Sequence, residues 1–244
     1  MRIPRIHTGC PLTVGARLEL EEQASRHLIR VLRLRPGDEL ILFDGGGRDW
    51  PARLLAGGRQ RALVEITGRS DPEPAPALEI RLGISISRGE RMDLAIQKAV
   101  ELGVSCITPL LTERSVVRLP PSRLQKKLAH WRGVMTAACE QCGRSRLVAL
   151  EEVCSLEAWL DGSAGGTGLL LDHRGATTLD RLPPPSGPLW LLAGPEGGLS
   201  EAERERARDR GFIAIRLGPR VLRTETAPLA AIAALQMLWG DFRR

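Results

Sequence analysis

Between residues 189 and 238 the chain runs twice through one pattern: a short apolar run, a loop of Gly and Pro, and a helix. LWLLA at 189–193 is a continuous apolar stretch of the length expected for a strand covered on both faces. Its loop, Gly194 to Gly198, leads to Ser200, with Glu203 three residues on, a spacing in which each side chain satisfies an otherwise orphan backbone N–H at a helix start. Gly211 ends that helix, residues 212–217 alternate apolar and polar as a strand, and residues 218–226 form a second loop before an almost wholly apolar closing helix. Pro228 is compatible with that helix because it falls in its first turn. Two such loops, expected to leave adjacent strands at their carboxyl ends, describe the crevice where open α/β sheets bind ligands. Glycines there let backbone groups approach a flat small molecule, and Glu196, Arg223 and Glu225 stand beside it as ionisable groups.

The rest of the chain divides at residues 70–77, SDPEPAPA, where alternating prolines keep the backbone extended and read as a linker. Before it, residues 21–32 suggest a short amphipathic helix with Leu28, Val31 and Leu32 on one side. Residues 35–38 turn the chain into a strand at 39–43, Asp44-Gly45-Gly46-Gly47 reads as a hairpin turn, and residues 62–67 complete a mostly β module. After the linker, a strand at 78–86, a helix at 90–102 and a strand at 104–111 form a βαβ unit, which requires a parallel sheet. Ser122 is expected to cap a longer helix, in which Leu124, Leu128, Trp131, Met135, Ala138 and Cys142 mark the core face. Residues 169–172 form one more buried strand.

Net charge is +6, and only Lys98, Lys126 and Lys127 among the basic residues are not arginine. A polyanionic partner fits this balance. With no tyrosine and three phenylalanines, aromatic stacking platforms are a poor expectation, and arginine forks on phosphates a better one. Arg2, Arg5, Arg26, Arg30 and Arg33 cluster in the amino-terminal arm and first helix, and Arg144 lies at the end of the long helix, so these are the candidate nucleic-acid contacts. No apolar leader and no run of eighteen apolar residues occurs, which argues against export and membrane spanning and for a cytoplasmic protein. Five scattered cysteines then read as reduced thiols. Cys139 and Cys142 have metal-ligand spacing, but no second pair completes a site, and no metal is expected. No GxGxxG follows a predicted strand, and no Walker-type loop is present.

The strings MRIPRI, HLIRVLRLRPGD, QKAVELGV, AACEQCGR, GPEGGLS and LGPRVLRTETA together resemble the ribosomal RNA small subunit methyltransferase E family over nearly the whole length. The resemblance implies a SPOUT-class α/β parallel-sheet methyltransferase domain with a trefoil knot at residues 78–244. It also implies a PUA-like β-barrel at 1–70, a linker at 71–77 and a homodimer. The implied reaction is methylation of N3 of a uridine in 16S rRNA of the small ribosomal subunit, with S-adenosylmethionine (SAM) as cofactor. Matched to the family's motifs, the cofactor loops fall on Leu170, Leu171 and Asp172; on Ala193, Gly194, Pro195, Glu196, Gly197 and Gly198; and on Leu217, Gly218, Val221, Leu222, Arg223, Thr224 and Thr226. The knot rests on the resemblance alone, since true knots are nearly absent from proteins.

N3 of uracil must lose its proton before or as it attacks. Arginine stays protonated, so Arg223 is assigned to orient the uracil and stabilise its anion, with Glu196 or Glu225 accepting the proton directly or through water. In the closing helix Leu229, Ile232, Leu235, Leu238 and Trp239 exceed what one buried face needs, as expected of a surface that also meets a second subunit. Two rival readings remain: a SPOUT enzyme acting on another RNA base, and a non-catalytic ribosome-assembly factor that retains a vestigial pocket.

Overall fold

The structure, a computed structural model, describes residues 3–58, 61–115 and 120–243. It divides into two compact units: Met1–Ala75 with Thr136–Leu147, and Pro76–Met135 with Val148–Arg244.

In the first unit β1 (Arg5–His7), β2 (Arg17–Glu19), β3 (Glu39–Phe43), β4 (Trp50–Gly57) and β5 (Ala62–Ile66) form one sheet in the order β1-β3-β4-β5-β2, parallel only between β1 and β3. Burial alternates strictly along β5 and most of β4, so Ala52, Leu54, Ala62, Val64 and Ile66 face a core shared with Leu28, Leu40 and Leu42. That alternation is the period of a strand with one buried face. The helix expected over residues 21–32 is broken. Only α1 (Glu22–Arg26) is α-helical, and His27–Val31 continues as a π-helical turn, because Leu28 and Leu34 must both reach the core. A polar cluster closes this unit. Arg5 makes a bidentate pair with Asp49 at 2.6 and 2.8 Å, Ser145 Oγ donates to Asp49, and both Ser145 N–H and Arg146 N–H donate to Glu73 at 2.9 Å. Burial pushes the Asp49 carboxyl up, but the hydrogen bonds from Arg5 and Ser145 and the charge of Arg5 outweigh it and leave the carboxyl below its ordinary range.

The second unit is built on β6 (Ile80–Ser85), α2 (Glu90–Glu101), β7 (Cys106–Leu111), α3 (Pro121–Cys142), β8 (Ala149–Leu150), β9 (Cys154–Ser155) and α4 (Leu156–Asp161), followed by β10 (Thr167–Leu171), β11 (Leu189–Ala193), α5 (Glu201–Asp209), β12 (Ile213–Ile215) and α6 (Thr226–Trp239). The last turns of α3 belong to the first unit. The sheet order is β12-β10-β11-β6-β7-β8, with β9 also on β7, and every pairing is parallel. β6, β7 and β11 are buried almost without interruption, as strands covered on both faces must be. Pro109, which has no N–H to give, sits where β8 gives way to β9 along β7, so no ladder bond is lost.

Three expectations need correction. β11 and β12 are not neighbours, because β10 lies between them. The alternation in residues 212–217 predicted a six-residue strand, but the strand spans only Ile213–Ile215, paired with β10, and Ile215 makes a further single bridge to Thr177. Finally, α3 begins at Pro121, so Ser122 lies in its first turn rather than capping it; proline's fixed φ suits the first helical position. The core face of that helix is as expected, with Leu128, Trp131, Met135 and Ala138 buried and Trp131 Nε1 donating to Asp93 at 3.1 Å.

Candidate active site

Because β10, β11 and β12 are parallel, the loops that follow them leave the same edge of the sheet, and the order of the strands reverses there: β11 enters between β10 and the earlier β6. Crevices of this kind hold ligands in open α/β sheets. The loop after β11 is tightly built. Gly198 has φ 66 and donates its N–H to Pro195 O at 2.8 Å, and a Cβ on Gly194 would come within 3.2 Å of the Leu199 nitrogen. At Gly198 the positive φ favours glycine although a Cβ would meet open space, and at Gly194 a Cβ would crowd the Leu199 backbone.

Several side chains pin this loop. Ser200 and Glu203 form the expected capping box: Ser200 N–H donates to Glu203 Oε2 at 2.8 Å and Glu203 N–H to Ser200 Oγ at 3.2 Å. Glu203 is 2% exposed, and its other oxygen accepts from Glu113 N–H at 2.8 Å, so one buried carboxylate ties two loops. Arg204 donates to Leu199 O at 2.6 Å and Arg114 to Gly197 O at 3.1 Å. From the third loop, Thr224 Oγ1 donates to Gly194 O at 3.1 Å.

The loops enclose a cavity of about 470 Å³. Leu170, Leu171, Asp172, all six residues from Ala193 to Gly198, and Leu217, Val221, Leu222, Arg223 and Thr224 line it. Glu225 lines it too, whereas Gly218 and Thr226 do not. Sequence reasoning missed Arg91, Arg114, His173, Arg174, Leu199, Arg204, Ile215, Arg220 and Ala227. A signal existed for two of them. Arg114 follows β7, and every loop leaving a parallel strand at its carboxyl end emerges at this edge; Arg204 stands one helical turn beyond Ser200 and so faces the same loop.

The three assigned ionisable residues differ in their surroundings. Glu196 is paired with Arg91 at 3.3 Å and accepts weakly from Arg88 N–H at 3.5 Å. Glu225 is half-buried, and its Oε2 is buried without a hydrogen-bond partner among the described residues. Arg223 is exposed at the rim, and its guanidinium makes no hydrogen bond or ion pair with the described residues. Asp172 is 8% exposed; Oδ1 accepts from Arg174 N–H at 3.0 Å, while Oδ2 has no hydrogen bond and lies 3.7 Å from Arg204 and 3.8 Å from Arg208. Two buried carboxylate oxygens with spare acceptor capacity thus border one cavity, and a buried acceptor left unmatched is costly. The hydrogen bond from Arg204 also draws the Glu201 carboxyl below its usual range.

The candidate RNA contacts, all in the first unit, fare unevenly. Arg5 is corrected: its side chain is 8% exposed and its fork is taken by Asp49, so it is a structural residue and not a phosphate ligand. Arg26 is exposed and lies 3.7 Å from Glu22, Arg30 and Arg33 are exposed, and Arg144 is half-buried and already engaged. Arg2 lies outside the described residues. Cys139 is buried in α3 and Cys142 Sγ turns back toward its carbonyl at 3.9 Å; among the described residues no group of three or more His, Cys, Asp or Glu is placed to hold a metal ion. No helix is long and apolar enough to cross a membrane.

Comparison with known proteins agrees along the chain. The family described as "RNA methyltransferase domain" matches residues 73–236, and the "RNA methyltransferase PUA domain" matches residues 20–67. The chain is 34% identical over 241 residues to a ribosomal RNA small subunit methyltransferase E of Buchnera aphidicola, covering 98% of each chain. Its fold is similar to that of a ribosomal RNA small subunit methyltransferase E from Neisseria gonorrhoeae bound to S-adenosyl methionine, at 41% identity and TM-score 0.92, covering 99% of this chain and 100% of the other. It is also similar to a Legionella pneumophila protein solved with its bound cofactor SAM, at 36% identity and TM-score 0.96, over 99% and 100% of the two chains.

Proposed function

Because the chain belongs to the ribosomal RNA small subunit methyltransferase E family, we propose that it transfers a methyl group from SAM to N3 of a uridine in 16S rRNA. The observation that carries the reading is the convergence of three glycine-rich or acidic loop segments, far apart in sequence, on one cavity bordered by Arg223 and a Glu225 oxygen, both without side-chain partners among the described residues.

The cavity suits the cofactor. Its volume, about 470 Å³, falls within the roughly 300–1,000 Å³ of small-molecule pockets. Backbone groups of residues 194–198 and 217–224, held by Thr224, Arg114 and Arg204, would hold the flat part of the cofactor, and Asp172 Oδ2, ion-paired with Arg204 and Arg208 but without a hydrogen bond among the described residues, can still accept one from a hydroxyl or amine. Bound SAM supplies an electrophilic methyl group on a sulfonium. This chain's own residues must position the uracil and manage one proton. Arg223, exposed and uncommitted at the rim, orients the base and stabilises the negative charge that develops as N3 loses its proton. Glu225 is favoured over Glu196 as proton acceptor. The Glu225 Oε2 is buried with no hydrogen-bond partner among the described residues, whereas Glu196, with an open second oxygen, carries both the Arg91 ion pair and the Arg88 N–H on Oε1 and is thereby held to a counter-charge.

In the same reading residues 1–70 hold rRNA, residues 71–77 link the modules, and residues 78–244 carry catalysis. Arg26, Arg30 and Arg33 are the phosphate ligands. A trefoil knot is supported by the insertion of β11 between β6 and β10, and a homodimer by exposed Met237 and Phe242 at the carboxyl end. The enzyme would act in the cytoplasm, where ribosomal subunits are assembled.

Methyl transfer from labelled SAM to purified small ribosomal subunits and to naked 16S rRNA, with nucleoside mapping, tests the function. Label in 3-methyluridine is the expected result. Label in another nucleoside would move the activity to a different base, and failure to bind SAM would leave an assembly factor.

A further inference from the structure

In the first unit α1 passes at Arg26 into the π-helical turn His27–Val31, and the chain leaves that turn through Arg33 with φ 57. Arg33 is the one non-glycine residue with positive φ among the described residues. A helix that ends through a left-handed residue normally places glycine there, because a Cβ is disfavoured in that region. π-helical turns are themselves uncommon and recur at functional sites. Retaining a side chain at a position where its absence would relax the backbone is an observation that calls for a use of that side chain.

The turn is anchored from both sides. Leu28 is wholly buried, Leu34 packs on the same core, Leu34 N–H donates to Leu28 O and Leu32 N–H to His27 O, both at 3.0 Å. What this anchoring holds outward is an apolar tip: Val31 is 66% exposed and Leu32 39% exposed. Arg30, Arg33 and Arg35 around it are exposed, and no acidic residue occurs from His27 to Gly37. The acids beyond those limits are occupied, Glu22 with Arg26 at 3.7 Å and Asp38 by the Arg35 N–H at 2.7 Å.

An apolar tip flanked along the chain by exposed arginines is complementary to a polyanion that also offers flat, poorly hydrated faces. Unstacked RNA nucleotides have both properties: phosphates for the forks, and base and ribose faces for the aliphatic groups. We propose that residues 30–33 form an RNA grip, in which Arg30 and Arg33 hold phosphates while Val31 and Leu32 lie against an unstacked nucleotide of the rRNA. This rests on the rRNA reading above and adds a contact that net charge alone does not provide.

Two full-length variants test it by titration of naked 16S rRNA over a range of salt, beside SAM titration and thermal unfolding. Arg33→Gly keeps or raises the unfolding midpoint, since glycine accepts the backbone angle, yet binds rRNA more weakly and with a log–log salt slope shallower by about 0.7–0.9, the effect of one lost phosphate contact. Val31→Ser weakens rRNA binding about fivefold through lost apolar contact and leaves the salt slope as it was. Both bind SAM like the wild type. Wild-type rRNA affinity and slope in both variants would overturn the grip. So would a Val31→Ser variant with intact rRNA affinity but altered sedimentation, which would assign the tip to a second copy of the chain. A wild-type protein that binds no small-subunit rRNA would overturn the substrate reading and the grip together, a result distinguishable from failure of the variants alone.

Discussion

Glu203→Ala should cost more than any other single change to the loops around the cavity, because it removes a buried carboxylate that serves two segments at once. Each oxygen of Glu203 accepts one backbone N–H at 2.8 Å, from Ser200 and from Glu113. Charge-assisted hydrogen bonds are worth about 1.5–3 kcal/mol each, but the two amides are not equivalent. Ser200 is buried, so its N–H would be left without a partner, whereas Glu113 is exposed and water would replace the lost bond. The expected loss is therefore about 2–4 kcal/mol rather than the full sum. For a chain of this length each kcal/mol lowers the unfolding midpoint by about 2–4 °C, which predicts a fall of about 4–16 °C. Glu203→Gln should lose nearly as much, since its NH₂ group would face one of the two N–H donors. Glu205→Ala, exposed on the same helix, should stay within about 0.5 kcal/mol of the wild type. Calorimetry of the three variants checks the stability term, and SAM titration checks the loop, whose order depends on the Ser200 anchor. A Glu203→Ala midpoint within about 2 °C of that of Glu205→Ala would refute the reasoning.

Three further outcomes are expected. Arg223→Ala should abolish methyl transfer while leaving SAM affinity within a few fold, and Glu225→Gln should lower kcat by about 10²–10⁴, with Glu196→Gln much milder; equal losses for the two glutamates would undo the choice of base. Asp49 has a folded pKa below its unfolded value of about 3.9, so the stability it contributes is complete above that value and is lost as pH falls through the folded pKa. Asp49→Asn should accordingly destabilise the protein by about 2–3 kcal/mol near neutrality, leaving Arg5 half-paired, and by much less at pH 2, as acid unfolding followed by circular dichroism would show. Burial, reinforced by the charge of Glu151, pushes the Cys106 thiol up to about 11, so Cys106 should resist alkylation at pH 8 in the folded protein and react readily once it is unfolded; fast labelling of the native protein, read by mass spectrometry, would contradict this.

Much of the chain was legible from local chemistry. The strand Leu189–Ala193, the Ser200–Glu203 cap and the core face of α3 each depend on a few neighbouring residues, and each appears in the structure as the pattern requires. The loop residues that line the cavity were legible for the same reason, because glycine and proline mark their own backbone. Tertiary structure decided the remainder. Nothing in residues 212–217 says that β10 intervenes between β11 and β12, since sheet order depends on which faces remain unburied when the strand arrives. The arginines show the limit most directly. Arg5, Arg30, Arg33 and Arg204 look alike in sequence, yet Asp49 claims the first, Leu199 and Asp172 hold the last, and the other two face solvent. A guanidinium is committed or available according to what the fold brings beside it, and that depends on partners up to 140 residues away in the chain.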